Sequence, residues 1–500
     1  MPALFRARAG VAAAVALLLG LLLPFAFAPY AHWWLAPLVL AALFVLWHDT
    51  TPRAAAWRGY LFGLGFLGHG VGWVQISIHQ FGLPLYVFSV SMTALFVMFI
   101  SLYPALAGWL LRRLPARGEV WRLCALAPVL WTASEWARGY FFSGFPWLLL
   151  GDSQLNSPLA GWLPVLGAQG ASLVLALSAG ALATAVLQSR RRAWLLAGAV
   201  LPWLLGAVLM DVEWTRPDGP SRTVAIVQGA VPQSMKWSPE ARAATLERYA
   251  SLTAPYWGAD IIVWPETALP AFPAEIPEFL AELKARAKAA GSVFLLGLPT
   301  AESAERYFNS LVLLGTADAR YDKHHLVPFG EYLPFDALLR PALDFLSIPM
   351  SGFTPGPARQ AALRAGELRI GATICYEDAY ASEVRKALPA ANLLVNVSND
   401  AWFGDSAAPH QHLQITRVRA AEAGREFLRA TNTGISAIID HHGGLRSRSP
   451  QFEPYVLKGE VTPRTGSTPF VRLGQWPLAL ACLLLLLCAI KRSTQSLCSD

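Results

Sequence analysis

Arg369-Ile-Gly-Ala-Thr-Ile-Cys-Tyr-Glu-Asp378 is a β-branched apolar run that stops at a thiol flanked by acids. A short apolar run of this kind predicts a buried strand. Cys375 then stands at the strand's end, where turns commonly present reactive groups. It is the only cysteine between Cys124 and Cys482, so the polar middle of the chain offers it no disulfide partner. Two other stretches carry matching chemistry. Ile261-Ile-Val-Trp-Pro-Glu266 ends a second apolar run in a carboxylate, and Tyr321-Asp-Lys-His-His-Leu-Val-Pro-Phe-Gly-Glu331 contains Lys323. A thiol attacks an acyl carbonyl as a thiolate, or as it becomes one, and needs a base to reach that state. Glu266 is the candidate base. Lys323 is the candidate charge for stabilising thiolate and oxyanion, with the backbone amide of Tyr376 as a second oxyanion donor. Glu331 is placed to orient the lysine, and Glu377 to assist near the nucleophile. A lone cysteine is more often inert core and a lone lysine ordinary surface, so the inference rests on the three groups together.

Around these stretches, apolar strands alternate with amphipathic helices. Strands are predicted at Val224–Gln228, Ile261–Trp264, Val293–Leu298, Ser310–Leu314, Leu368–Ile374, Leu393–Val397, Glu426–Ala430 and Ser436–Ile439. Helices are predicted at Ser238–Ser251, Pro277–Ala290, Ala379–Ala387 and Pro409–Ala423. Near-continuous apolar strands between such helices imply sheets buried against helices, an α/β layered domain over 221–470. A polar linker, 211–220, with Pro217, Gly219 and Pro220, precedes it.

The flanks are different. The chain has 500 residues, of which 54% are hydrophobic and 15% charged, against about 25% charged in ordinary soluble domains. Seven apolar runs at the N-terminal end predict membrane spans at Gly10–Leu23, Trp33–Trp47, Tyr60–Ile76, Tyr86–Leu111, Val120–Trp136, Leu159–Leu187 and Ala193–Met210, and Trp476–Ile490 predicts an eighth. The expected organisation is a seven-helix bundle over 1–210, a final span over 475–492 and a tail over 493–500. Arginines and lysines alternate with this count. Arg6 and Arg8, Arg53 and Arg58, Arg112, Arg113 and Arg117, Arg190–Arg192, and Lys491 with Arg492 all fall on one side. The positive-inside rule makes that side cytoplasmic and places both termini there, with the soluble insert across the membrane. The start of the chain mimics a signal peptide, but Pro29 follows the small-residue site and more spans follow at once, so an uncleaved first span is expected.

The net charge of +7 is largely accounted for by these basic loops and calls for no nucleic-acid partner. No Cys/His spacing suits zinc, and no glycine loop suits phosphate. The adjacent pairs His324-His325 and His441-His442 are expected not to converge on one ion. A transporter would need buried ionisable groups along its spans; Glu135 and Glu119 are the candidates.

Trp264-Pro-Glu266, the Lys323–Pro334 stretch and Ile374-Cys-Tyr-Glu377 resemble the Glu-Lys-Cys motifs of the nitrilase, or carbon–nitrogen hydrolase, superfamily. They most resemble its membrane-embedded N-acyltransferase branch in Gram-negative bacteria. Asn399-Asp-Ala-Trp-Phe-Gly404, Asn432-Thr-Gly-Ile-Ser436, Gly72-Trp-Val74, Glu135-Trp136 and Gly144-Phe-Pro-Trp147 are similar too. The resemblance implies an α-β-β-α sandwich facing the periplasm of an inner-membrane protein, which acts as a monomer without cofactor or metal. It implies acyl transfer from a phospholipid, typically phosphatidylethanolamine, through a Cys375 thioester to the N-terminal amine of a diacylglyceryl lipoprotein. Within the irregular stretch His325–Gly356, Phe329, Tyr332, Leu333, Phe335 and Phe345 are candidates to line an acyl path, with ordinary packing as the alternative. Trp237 and Trp402 are candidates to shape the entrance, and Asn309 either hydrogen-bonds substrate or the active-site loop or serves a turn. The alternative is a membrane-tethered amidase or nitrilase that hydrolyses a small amide.

Overall fold

The structure is a computed structural model that describes residues 2–490 except 83, 304, 338–339 and 341–351. Phe345, Lys491, Arg492 and the tail over 493–500 therefore lie outside the described residues. The chain forms two compact units, Met1–Gly72 with Ser91–Val212 and Leu473–Asp500, and Trp73–Val90 with Glu213–Arg472.

The first unit is helical. Among the described residues four helices are long and apolar enough to cross a membrane, Ala9–Ala26, Tyr86–Arg113, Pro158–Leu187 and Ser189–Met210, or up to five if Pro52–Val71 and Val74–Phe81 count as one span. Leu35–Trp47 and Trp476–Ala489 are apolar helices but shorter. At 1.5 Å per residue, 13 or 14 residues span roughly 20 Å, less than a bilayer's hydrocarbon core. The run expected over Val120–Trp136 is helical but interrupted. A π turn at Arg122–Leu126 separates Glu119–Trp121 from Ala127–Tyr140. Helices pack closely where side chains are smallest, as in other membrane bundles. A methyl on Gly20 would meet the Phe62 carbonyl at 2.2 Å, and one on Gly65 the Leu17 carbonyl at 2.4 Å. The two acids singled out in this unit both have partners within it. Glu135 accepts from the Trp131 indole at 3.0 Å and the Leu150 amide at 2.9 Å. Glu119 pairs with Arg112 and Arg122 at 3.1 and 3.0 Å.

The second unit holds two six-stranded sheets. The first runs in the order Tyr455–Val461, Arg222–Gln228, Ile261–Val263, Val293–Ser303, Arg306–Gly315, Ala319–Asp322, and the second in the order Leu445–Arg448, Ala437–Ile439, Phe427–Thr431, Leu393–Ser398, Leu368–Ile374, Leu363–Ala365. Side chains alternate along each strand. Val224, Ile226, Val263 and Leu295 therefore join Ile370, Ile374, Val395 and Leu428 in one shared core. The opposite faces bury Val227, Ile262 and Phe294 under Tyr249 and Leu283 of Pro239–Thr253 and Pro277–Ala290, and Leu394, Phe427 and Ile439 under Leu413 and Ala420 of Ala407–Ala423. The layers are helix, sheet, sheet, helix. Each fully buried valine, leucine, isoleucine or phenylalanine contributes about 1.5–3 kcal/mol.

All eight expected strands are present. Four edge strands, Ala319–Asp322, Leu363–Ala365, Leu445–Arg448 and Tyr455–Val461, complete the two sheets, and Thr215–Pro217 pairs with Arg464–Gly466 in a separate two-stranded sheet. Residues 73–90, which include the stretch between the expected spans Tyr60–Ile76 and Tyr86–Leu111, group with this second unit. The helix Val74–Phe81 lies against the turn Asp400–Phe403, with Phe81 on Trp402 at 4.5 Å and Trp73 on Phe403 at 4.8 Å between ring centroids. The Trp73 indole also donates to the Gln411 side chain at 3.1 Å. One further expectation is corrected. His441 and His442 do converge, because both Nε2 atoms reach the Glu213 carboxylate, at 3.2 and 3.0 Å, where Arg464 also donates at 2.8 Å.

Candidate active site

Three strand ends meet at one place. Ile261–Val263 leads into Trp264-Pro265-Glu266, and Leu368–Ile374 leads into Cys375. Lys323 follows Ala319–Asp322, and its amide is fixed by the Asn309 carbonyl at 2.8 Å. The close fit of Glu266 depends on the neighbouring strand. A methyl on Gly297 would meet the Pro265 carbonyl at 2.3 Å and the Glu266 Cα at 2.8 Å.

Cys375 adopts a positive φ of 52°, a sparsely populated conformation for a non-glycine residue that persists only when its surroundings over-determine it. Here they do. The Asn396 side chain donates to the Cys375 carbonyl at 3.1 Å. Glu377 is fully buried and accepts from the Ile374 amide at 2.8 Å, the His324 and His325 amides at 2.8 and 3.0 Å, and the Tyr321 hydroxyl at 3.0 Å. It therefore ties the thiol's turn to the lysine's loop. Burial lifts its carboxyl to about 7, with the backbone donors pulling the other way.

Lys323 is buried between two acids, with Nζ 2.9 Å from Glu331 and 3.6 Å from Glu266. Burial would lower its ammonium. The charges of Glu331, Glu266 and Cys375 overcome that and hold it above the ordinary lysine range. Asn309, also buried, bridges the same two acids, with Nδ2 at 2.7 Å from Glu266 and 3.1 Å from Glu331. Only the amide nitrogen can donate to both, which fixes its orientation. Glu331 is held in turn by the Val327 amide at 2.8 Å. Burial, with the Glu266 charge beside it, pushes the Cys375 thiol up, against the Lys323 charge and a hydrogen bond from Ser398. A thiol pushed up in this way would need a base in order to act as a nucleophile.

Asn309→Leu tests this bridge. Removing a donor shared by two carboxylates, at about 1.5–3 kcal/mol per charge-assisted hydrogen bond, is expected to slow acylation of Cys375 by roughly ten- to a hundredfold in single-turnover measurements.

The residues expected to meet substrate are more scattered in character. Trp237 and Phe329 are exposed, at 52% and 60% of their surface. Phe335 is exposed as well, Tyr332 is half-buried and Leu333 is buried. Trp402 is half-buried beneath Phe81. Tyr376 lies in the short 3-10 turn Cys375–Ala379, its hydroxyl accepting from Tyr380 at 3.1 Å.

Two features escape sequence reasoning. Lys236, next to Trp237, is 3% exposed and donates to the Glu266 carbonyl at 3.1 Å. Behind the thiol, Asp378, Asp400, His412 and Arg429 form a fully buried charge cluster. His412 donates to the two aspartates at 2.8 and 3.0 Å, and Arg429 reaches them at 3.4 and 2.9 Å.

Residues 19–181 match the family described as apolipoprotein N-acyltransferase N-terminal domain, and residues 223–470 match carbon–nitrogen hydrolase. Among curated relatives named apolipoprotein N-acyltransferase, that of Methylococcus capsulatus is 46% identical over 466 residues, covering 93% of this chain and 92% of its own. Those of Photobacterium profundum and Vibrio cholerae are 40% and 41% identical, covering 90% and 92% of this chain and 89% and 93% of theirs. A solved carbon–nitrogen hydrolase from Helicobacter pylori G27 has a TM-score of 0.37 and 15% identity, over 52% of this chain and 94% of that one. Full-length identity of this order, across the helical and the sheet-bearing parts alike, means that the chain belongs to the apolipoprotein N-acyltransferase family.

Proposed function

We propose that this protein moves an acyl chain from a phospholipid, typically phosphatidylethanolamine, to the N-terminal amine of an S-diacylglyceryl cysteine on a lipoprotein. The observation that carries the reading is the buried convergence of Glu266, Lys323 and Glu331 at the strand ends that present Cys375, with Asn309 bridging both acids. Glu266 takes the Cys375 proton as sulfur attacks the ester carbonyl. Lys323, with the Tyr376 amide, stabilises the oxyanion. The glyceryl oxygen leaves as lysophospholipid, taking the proton back from Glu266, and a thioester remains. The acceptor amine then attacks this thioester, gives a proton to Glu266 and forms the amide. The thiolate leaves and recovers its proton. No cofactor or metal enters either step.

The membrane matters for substrate supply. Moving a long chain into water costs about 0.8 kcal/mol per CH₂, so a site at the bilayer surface receives both lipids without extracting them. Exposed Trp237, Phe329 and Phe335 suit such a surface, and a thioester survives best where water is kept out. We assign eight spans with both termini cytoplasmic. The organisation is a bundle over 1–210, a linker over 211–220, a periplasmic catalytic domain over 221–470, a last span over 475–492 and a tail over 493–500, all in a monomer of the bacterial inner membrane.

Intact mass measurement after incubation with phosphatidylethanolamine tests the assignment. The expected result is one added acyl group on Cys375, removable by hydroxylamine. Ammonia release from small amides with no acylated protein would overturn it.

A further inference from the structure

Lys236 is a second buried ammonium at the site, and its chemistry is incomplete. It closes the short helix Gln233–Lys236, which follows the strand Arg222–Gln228. Its side chain is buried, and its Nζ donates to the backbone carbonyl of Glu266 at 3.1 Å. An ammonium carries three donors. Among the described residues no carboxylate lies within ion-pair distance of this one. A buried charge without a counter-ion is costly, so its retention calls for a charge that it answers.

The charge count supplies one. Glu266 and Glu331 bring two negative charges and Lys323 one positive charge, already shared between them at 3.6 and 2.9 Å. Those three groups leave the pocket net negative, which opposes ionisation of a thiol. Lys236 brings these groups to neutrality, Glu377 on the neighbouring turn being answered by backbone amides. Its anchor is also informative, since the carbonyl it holds lies between Glu266 and Thr267, the latter at a positive φ of 46°. The same ammonium therefore steadies the turn that aims the carboxylate.

We propose that Lys236 is a positioning residue for acyl transfer, holding the Glu266 turn by its carbonyl and balancing the pocket's charge so that Cys375 can ionise. This rests on Cys375 being the nucleophile. Burial lowers the Lys236 ammonium to about 8, while the Glu266 and Cys375 charges raise it, which agrees with a cation close to both. The charged groups that face Cys375 in this balance are Glu266, Lys323, Lys236 and Asp400, with Glu331 acting through Lys323 and Glu377 on the same turn, its carboxyl raised to about 7 by burial. Asp400 is itself answered by Arg429 and His412.

The test uses the full-length protein in detergent and the pH profile of Cys375 alkylation by iodoacetamide, followed by peptide mass spectrometry. It needs no lipid turnover. Lys236→Met is expected to shift the profile upward by about one pH unit, with alkylation about tenfold slower at neutral pH, and Lys236→Arg to restore most of the rate. Lys236→Gln keeps a donor for the Glu266 carbonyl but no charge. It serves where the methionine variant does not fold, and the same upward shift is expected. A profile unchanged by loss of the charge would overturn the proposal. So would equal slowing in the arginine and methionine variants at unchanged melting temperature. Failure of the nucleophile assignment reads differently: Cys375→Ala would then retain acyl transfer whatever residue 236 does.

Discussion

Cys375→Ala is expected to insert into the membrane and fold as the parent does, yet to form no acyl-enzyme. Transfer should fall by at least about 10³-fold, the scale on which losing a covalent nucleophile is felt. The backbone case for normal folding is direct. The turn is held by Asn396 on the Cys375 carbonyl and by Glu377 on the Ile374, His324 and His325 amides, and none of these bonds uses the sulfur. Cys375→Ser is the more searching variant because it preserves the side chain's shape and a hydrogen-bonding atom. Burial and the Glu266 charge already push the thiol up, and a hydroxyl in the same pocket starts from a far higher value. Glu266 would have to remove a much less acidic proton, so the serine variant is also expected to be nearly inactive. Intact mass before and after hydroxylamine, with melting temperature in detergent, checks both. Normal turnover by either variant would remove Cys375 from the mechanism.

What was legible in the chain follows from how local the signals are. Cys375 and Glu266 each end an apolar run, so strand ends announce both, whereas Lys323 and Glu331 stood out only by their local stretch, since the strand before Lys323, Ala319–Asp322, is no apolar run. The alternation of Val224, Ile226 with Ala225, Val227 likewise gives the layered fold its two faces. Lys236 was not legible, since one lysine beside a tryptophan looks like ordinary surface until a turn from residue 266 closes over it. Asp378 and Arg429 lie 51 residues apart and Asp400 and His412 twelve apart, and no period connects them. The bend between Pro52–Val71 and Val74–Phe81 was not legible, because hydropathy runs on through Ile76 and gives no sign of the aromatic partner Trp402. The strands Leu445–Arg448 and Tyr455–Val461 were missed because exposed edges carry Arg446, Arg448, Lys458 and Glu460 rather than an apolar run.

The buried cluster behind the thiol carries the second large effect, this time on stability. Two aspartates, one arginine and one doubly donating histidine balance to zero net charge, and every described member is below 5% exposed. Removing one partner leaves an uncompensated buried charge, which typically costs 3–5 kcal/mol. Arg429→Met is therefore expected to lower the melting temperature in detergent by roughly ten degrees, and Asp378→Asn to behave similarly. Function should follow, because Asp378 lies three residues beyond Cys375 and Arg429 also donates to Asn396 at 2.9 Å, whose amide holds the Cys375 carbonyl. The pH dependence has a definite sign. Burial and Arg429 lower His412, but the two aspartates outweigh them and raise it to about 9, above its ordinary value near 6.5. A raised folded-state value means the imidazolium's contribution is fully present below about 6.5 and is lost as pH rises through about 9. Asp400 works at the other end. Arg429 and His412 outweigh its burial and hold it below the usual carboxylate range, so its contribution is present above about 4 and lost as pH falls through that depressed value. Thermal stability should thus decline between about pH 7 and 9 in the parent protein, and His412→Gln should be less stable at neutral pH while losing much of that alkaline slope. A parent protein with flat stability across that interval would show that His412 is not the charged member of the cluster.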